Sequence, residues 1–175
     1  SYDIKSVTRN SSKQPVIVFR WLQNGTPVPI NDFATAAVNP ATGQKEMWDN
    51  FMGSPSAQFV FAVPQDGIAA PADFNASASG YLRKIWDGSA TGSSAGTLTG
   101  PDATGFYTVT LTGVTVPDSA VMLTGGMGYS YSVTSSLPLT QTNLADYPVT
   151  DPVAGQINKQ GGLIVIAPNV QMVAT

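Results

Sequence analysis

The sequence predicts an all-β fold: an antiparallel Greek-key sandwich or split barrel of seven to eight strands, with at most one or two short helices. Three observations carry this. Apolar, β-branched runs stop abruptly at turn pairs, as Pro15-Val-Ile-Val-Phe-Arg-Trp-Leu22 does before Asn24-Gly25. The 175 residues include 17 Gly and 13 Pro, which implies many turns and few long helices. The segment Gly105-Phe-Tyr-Thr-Val-Thr-Leu111 alternates with a period of two, the spacing of a half-buried strand.

Taken in order, residues 4–8 alternate as a short strand, and residues 15–22 form a stronger one that turns at Asn24-Gly25. Asn39-Pro-Ala-Thr-Gly43 reads as a turn. Met47, Trp48, Phe51 and Met52 fall at helical spacing, so a short helix is expected within residues 44–52. Gln58-Phe-Val-Phe-Ala-Val63 is a strand ended by Pro64 and turned at Asp66-Gly67. Residues 68–79, rich in Ala, Pro and Ser, read as a surface excursion. Tyr81-Leu-Arg-Lys-Ile-Trp86 reads as the next strand, stopping at Asp87-Gly88, and residues 89–96 as a flexible loop. Strands follow at 97–99, 105–111, within 122–133 and at 162–168, with a loop over 137–152. The alternation places Phe59, Phe61, Tyr107, Val109, Leu111, Ile164 and Ile166 in the core. Trp21, inside an apolar strand, is also expected to be buried. No fixed-period repeat is visible, and residues 1–175 are expected to form a single β domain.

The absence of both cysteine and histidine narrows the chemistry. Ser/His/Asp and Cys/His catalytic arrangements are excluded, as are the side chains of most zinc, copper and haem sites. A net charge of −3 and a pI near 4.5 argue against a nucleic-acid partner, whose phosphates demand a basic face. No apolar run reaches the length of a membrane helix. The chain opens at Ser1 without a leader and closes just after a strong strand, so a piece of a longer chain is expected.

Each candidate motif has a structural reading beside the chemical one. Asp102-Ala-Thr-Gly-Phe-Tyr107 suggests an acidic turn whose tyrosine hydroxyl pins a loop, the logic of a tyrosine corner. Asp66, Asp73 and Asp87 have ligand chemistry for calcium, but no Asp-x-Asp run or EF-hand loop contains them, and two belong to Asp-Gly turns. Ser11-Ser-Lys13 reads as a turn rather than a Ser–Lys pair. Gly125-Gly-Met-Gly128 and Gly161-Gly162 lack the Lys-Ser/Thr ending of a phosphate loop and precede strands. Trp21, Trp48, Trp86, Tyr129 and Tyr131 would suit a sugar-stacking or flavin platform if exposed, and core packing if not. Asn10-Ser-Ser and Asn75-Ala-Ser match the N-glycosylation pattern. No residue is assigned a catalytic, cofactor-binding or metal-binding role.

Three stretches carry a resemblance. They are Phe59-Val-Phe-Ala-Val-Pro-Gln-Asp-Gly-Ile68 with Asp73-Phe-Asn-Ala-Ser-Ala-Ser-Gly-Tyr81, then Gly105 to Leu111, then Gly161-Gly-Leu-Ile-Val-Ile-Ala-Pro-Asn-Val-Gln-Met-Val-Ala-Thr175. They resemble the amino-terminal β-domain of OmcA/MtrC-type outer-surface multihaem (decahaem) c-type cytochromes. In that family, split-barrel β-domains flank pentahaem domains on the outer surface of the bacterial outer membrane, where electrons pass to minerals or soluble shuttles. The resemblance implies a haem-free, non-catalytic scaffold and docking domain, with no cofactor in this chain and c-type haems in a region that follows. Its partners would be the haem-bearing domain of the same parent chain and outer-membrane electron-transfer proteins. No C-x-x-C-H motif occurs, so no haem ligand carries over to any residue here. The alternative from another class is a cell-surface adhesin-like or carbohydrate-binding sandwich module.

Overall fold

Asn24 and Gly25 adopt φ of +50° and +79°, the left-handed pair that a two-residue hairpin turn requires. They join β2 (Pro15–Gln23) to β3 (Thr26–Val28), and β2 also pairs antiparallel with β1 (Tyr2–Arg9). These elements belong to a computed structural model that describes residues 1–40, 43–49, 53–132, 160–166 and 171–172, with side-chain environments up to residue 128. Farther along come the small hairpin of β4 (Val38–Asn39) and β5 (Gln44–Lys45), then β6 (Ser56–Ala62) and β7 (Ala76–Tyr81). Helix α1 (Leu82–Trp86) and a 3₁₀ turn (Gly92–Ser94) precede β8 (Thr97–Thr99) and β9 (Tyr107–Thr110). The last elements are β10 (Met122–Ser132), β11 (Gln160–Ile166) and β12 (Gln171–Met172).

Among the described residues two large open antiparallel sheets result, one ordered β1-β2-β9-β8 and the other β11-β10-β6-β7, with β3 and β12 flanking them, the β4–β5 hairpin apart, and no closed barrel. These eight strands match the expected count; the four others are two or three residues long. The chain crosses between sheets at β3 to β6, β7 to β8 and β9 to β10, so neither sheet is finished before the other begins.

Both sheets turn their alternate residues into one core. Ile17 and Phe19 of β2, with Tyr107 and Val109 of β9, meet Phe59 and Phe61 of β6 and Leu123 and Met127 of β10. Removing each of these large side chains from water contributes about 1.5–3 kcal/mol before entropy is counted. Five of the predicted core residues, Phe59, Phe61, Tyr107, Val109 and Leu111, are buried as expected. Ile164 and Ile166 lie in β11 opposite Gly128 and Gly126, but their side chains fall outside the described residues, as does the expected loop at 137–152.

Four expectations are corrected. Residues 81–86 are not a strand: Leu82 and Ile85 are both buried at i, i+3, and the segment forms α1, which ends at Gly88 with φ +77°. The surface excursion is shorter than expected, because residues 76–81 pair in full register with β6 as β7. The anticipated helix at 44–52 is absent from the described part, with Phe51 and Met52 outside it. There Gln44 and Lys45 pair with β4, and the Met47 carbonyl accepts from Asn31 N–H at 2.8 Å instead of closing a helical turn. Residues 89–96 are folded onto the body: Ala90 N–H donates to Lys84, and Gly113 N–H to Ala95. A side chain at Gly113 would strike the Gly92 carbonyl, so this approach requires glycine.

Candidate functional site

The acidic turn before β9 behaves as its sequence suggests. The Asp102 carboxylate accepts from Thr104 N–H, the Thr104 hydroxyl and Phe106 N–H at 2.8–3.0 Å. Those bonds, the Phe106 amide foremost, hold its carboxyl below the usual aspartate range. Tyr107 then points its ring into the core and its hydroxyl accepts from Ile30 N–H at 2.8 Å. The tyrosine thus pins backbone 77 residues away, whereas a tyrosine corner binds backbone a few residues upstream. Above this turn the Phe106 ring lies beneath the Arg20 guanidinium (4.5 Å) and Lys5 ammonium (5.1 Å), while Asp3 holds Arg20 at 2.8 Å. Every one of these groups faces a partner within the chain.

The tryptophans do not assemble a platform. Trp48 is buried, and Trp21, expected to be buried, is half-buried with its ring stacked on Trp48 at 4.4 Å and edge-on to Tyr2 at 5.2 Å. Trp86 is part-buried; its indole N–H donates to the Asn31 carbonyl at 2.7 Å and its ring meets Phe33 edge to face. The side chains of Tyr129 and Tyr131 lie outside the described residues. Asp66 occupies the tip of the turn after β6, and Asp87 accepts from Ser89 N–H beyond α1. No three carboxylates come together among the described residues. Both asparagines of the glycosylation patterns have committed amides: Asn10 Nδ2 donates to Gln14, and Asn75 Nδ2 to Val63 and Gln65. Gly125 of the glycine cluster lies within β10, where a Cβ would strike the Gln58 carbonyl, so its smallness serves strand packing.

Sequence reasoning missed a groove of about 580 Å³ on the outward side of β6 and β7. Residues 58–60 of β6 and 77–79 of β7 line it together with Ser93, Ser94, Gly113 and Val114. It contains hydroxyls, one carboxamide, the apolar residues Phe59, Val60, Ala78 and Val114, and no charge. A serine–alanine alternation read as surface loop gave no signal for it; only the pairing of β7 with β6 brings these residues together. Such a lining suits neutral hydrogen-bonding ligands and offers no nucleophile–base pair.

Among the described residues no helix is long and apolar enough to cross a membrane. No family model, curated protein or solved structure matches the chain.

Proposed function

We propose that this chain is a non-catalytic scaffold and docking module. The observation that carries this reading is the commitment of many of its chemically capable side chains, among the described residues, to internal bonds. Asp102 organises its own turn, Asp118 binds Arg9 and Lys13, Asp3 binds Arg20, and the Tyr107 hydroxyl and Trp86 indole pin separate segments of backbone. A reactive site instead leaves such groups turned toward substrate. On the segments that resemble OmcA/MtrC-type cytochromes, we take the parent to be an outer-surface multihaem cytochrome whose haem region this module orients. That step rests on the sequence segments alone.

The coding sequence beyond Thr175 tests the parentage: several C-x-x-C-H motifs there support it, and a continuation without them overturns it. The module itself should purify colourless, and a stoichiometric Soret band that survives denaturation would contradict the haem-free assignment. The carbohydrate-binding alternative gains nothing from the tryptophans, since Trp48 is buried and covers one face of Trp21.

A further inference from the structure

We propose that Asn24 is a self-modification site: the following Gly25 amide converts its carboxamide to an imide, and hydrolysis of that imide to isoaspartate unlatches β3 from the sheet. Selection among the asparagines carries the argument. Asn10 Nδ2 donates to Gln14, Asn31 Nδ2 to the Glu46 carbonyl and Asp49, Asn39 Nδ2 to Glu46, and Asn75 Nδ2 to Val63 and Gln65. Among the described asparagines, Asn24 alone has a carboxamide without a partner, and it stands exposed at the tip of the β2–β3 hairpin. Gly25, equally exposed, has open space where a side chain would be, so nothing crowds the nitrogen that must attack.

The Gly25 nitrogen loses its proton to hydroxide and bonds to Asn24 Cγ; the Cγ–Nδ2 bond breaks, and ammonia leaves with a proton from water. Water then opens the imide. Attack at Cγ gives aspartate on the original backbone. Attack at the Asn24 backbone carbonyl gives isoaspartate, whose backbone runs through Cγ and is a carbon longer. Water is taken up and ammonia released, with no oxidation or reduction. Aspartate keeps the left-handed turn, since Asp-Gly is itself a preferred hairpin pair, whereas the longer isoaspartate backbone no longer fits two residues at φ +50° and +79°. Little else holds β3. It is three residues long, pairs only with β2 among the described strands, and its central Pro27 has no N–H to donate. The closed left-handed turn directs the Gly25 nitrogen away from Cγ, so ring closure follows brief openings of this short strand. The Tyr107 hydroxyl on Ile30 N–H and the Met47 carbonyl on Asn31 N–H confine the loosening to residues 24–29.

The test ages the intact protein in mildly alkaline buffer made with heavy-oxygen water and locates amide-to-acid conversion by peptide mass spectrometry. Asn24 should become a heavy-oxygen acid at least about tenfold faster than Asn10, Asn31, Asn39 and Asn75, whose carboxamides must first give up their bonds. A methyltransferase specific for isoaspartyl carboxylates should label the same peptide. In that form hydrogen exchange should quicken about tenfold at Thr26 and Val28, whose partners across the hairpin are Gln23 and Trp21, and stay unchanged at Ile30. Asn24→Gly, which suits the turn and lacks the carboxamide, should age without any change in exchange at Thr26 and Val28. Absence of conversion at Asn24, or equal rates at the bonded asparagines, overturns the assignment. Aspartate at position 24 without isoaspartate overturns the imide route, and isoaspartate with unchanged exchange at Thr26 and Val28 overturns the unlatching.

Discussion

In the β1-β2-β9-β8 sheet, large side chains and charge pairs do the fastening: Trp21 against Trp48, Phe106 beneath Arg20 and Lys5, and Asp118 across Arg9 and Lys13. In the β6–β7 half of the other sheet, small residues do it by letting backbones close up: Gly80 against Leu111 and Ile85, and Gly125 against Gln58. A sheet fastened by bulk covers its own surface. A sheet fastened by close approach brings backbones together across small residues. The same core therefore supports two open sheets that are fastened in different ways.

The largest effects should not distinguish the sheets. Phe19→Ala in β2 and Phe59→Ala in β6 each remove a fully buried ring and should each cost about 3–5 kcal/mol. Denaturant curves followed by tryptophan fluorescence and by far-ultraviolet circular dichroism should coincide in both variants. Separate transitions would mean that the sheets unfold independently and that the shared core is not cooperative.

Within the bulk-fastened sheet, Trp48→Ala should likewise cost about 3–5 kcal/mol and Trp21→Ala distinctly less, since Trp21 is half-buried. Iodide should quench fluorescence more strongly when Trp21 is the sole tryptophan than when Trp48 is. The reverse order would disprove the stacking assignment.

Close approach is tested at Gly113. Gly113→Ala drives a methyl into the Gly92 backbone and should cost about 1–3 kcal/mol, where most exposed-loop changes stay within about 0.5 kcal/mol. Smaller still, Tyr107→Phe should cost about 0.5–1.5 kcal/mol and accelerate hydrogen exchange at the Ile30 amide specifically. Uniform acceleration would make the hydroxyl a general core contact rather than a pin.

How much of this is visible in the sequence depends on range. The Asn24-Gly25 hairpin and the alternation over residues 105–111 are local signals, and both elements form where expected. The error at residues 81–86 has a physical source. Leu82, Ile85 and Trp86 stand at helical spacing, but their apolar density also suits a strand. The Tyr107–Ile30 bond, the Trp21–Trp48 stack and the groove join segments far apart in the chain. Residue type identified several of the participants, but nothing in the sequence specified which segments would meet.

The smallest expected effect concerns pH. The Lys13 ammonium, then Arg9, holds the Asp118 carboxyl below the ordinary aspartate range, as the Phe106 and Thr104 donors do for Asp102. Both folded pKa values are depressed, so their contribution is complete above the unfolded value of about 3.9 and is lost as pH falls through the folded ones. Asp118→Asn and Asp102→Asn should each flatten the acid limb of a stability–pH profile. Molar salt should mimic the first variant but not the second, because Asp118 faces cations and Asp102 mainly amides. Equal salt sensitivity would remove that distinction.

The crossing of the chain between sheets has a consequence for a molecule cut at the exposed turn after β6. Cleavage after Asp66 leaves a first fragment with β1 to β6 and a second with β7 to β12, and neither fragment contains the whole of either large sheet. The first contributes β6, which the second flanks with β10 and β7; the second contributes β9 and β8, which extend from β2 of the first. Nicked molecules should therefore stay associated without a covalent link, and the two pieces, prepared apart, should restore one another by complementation.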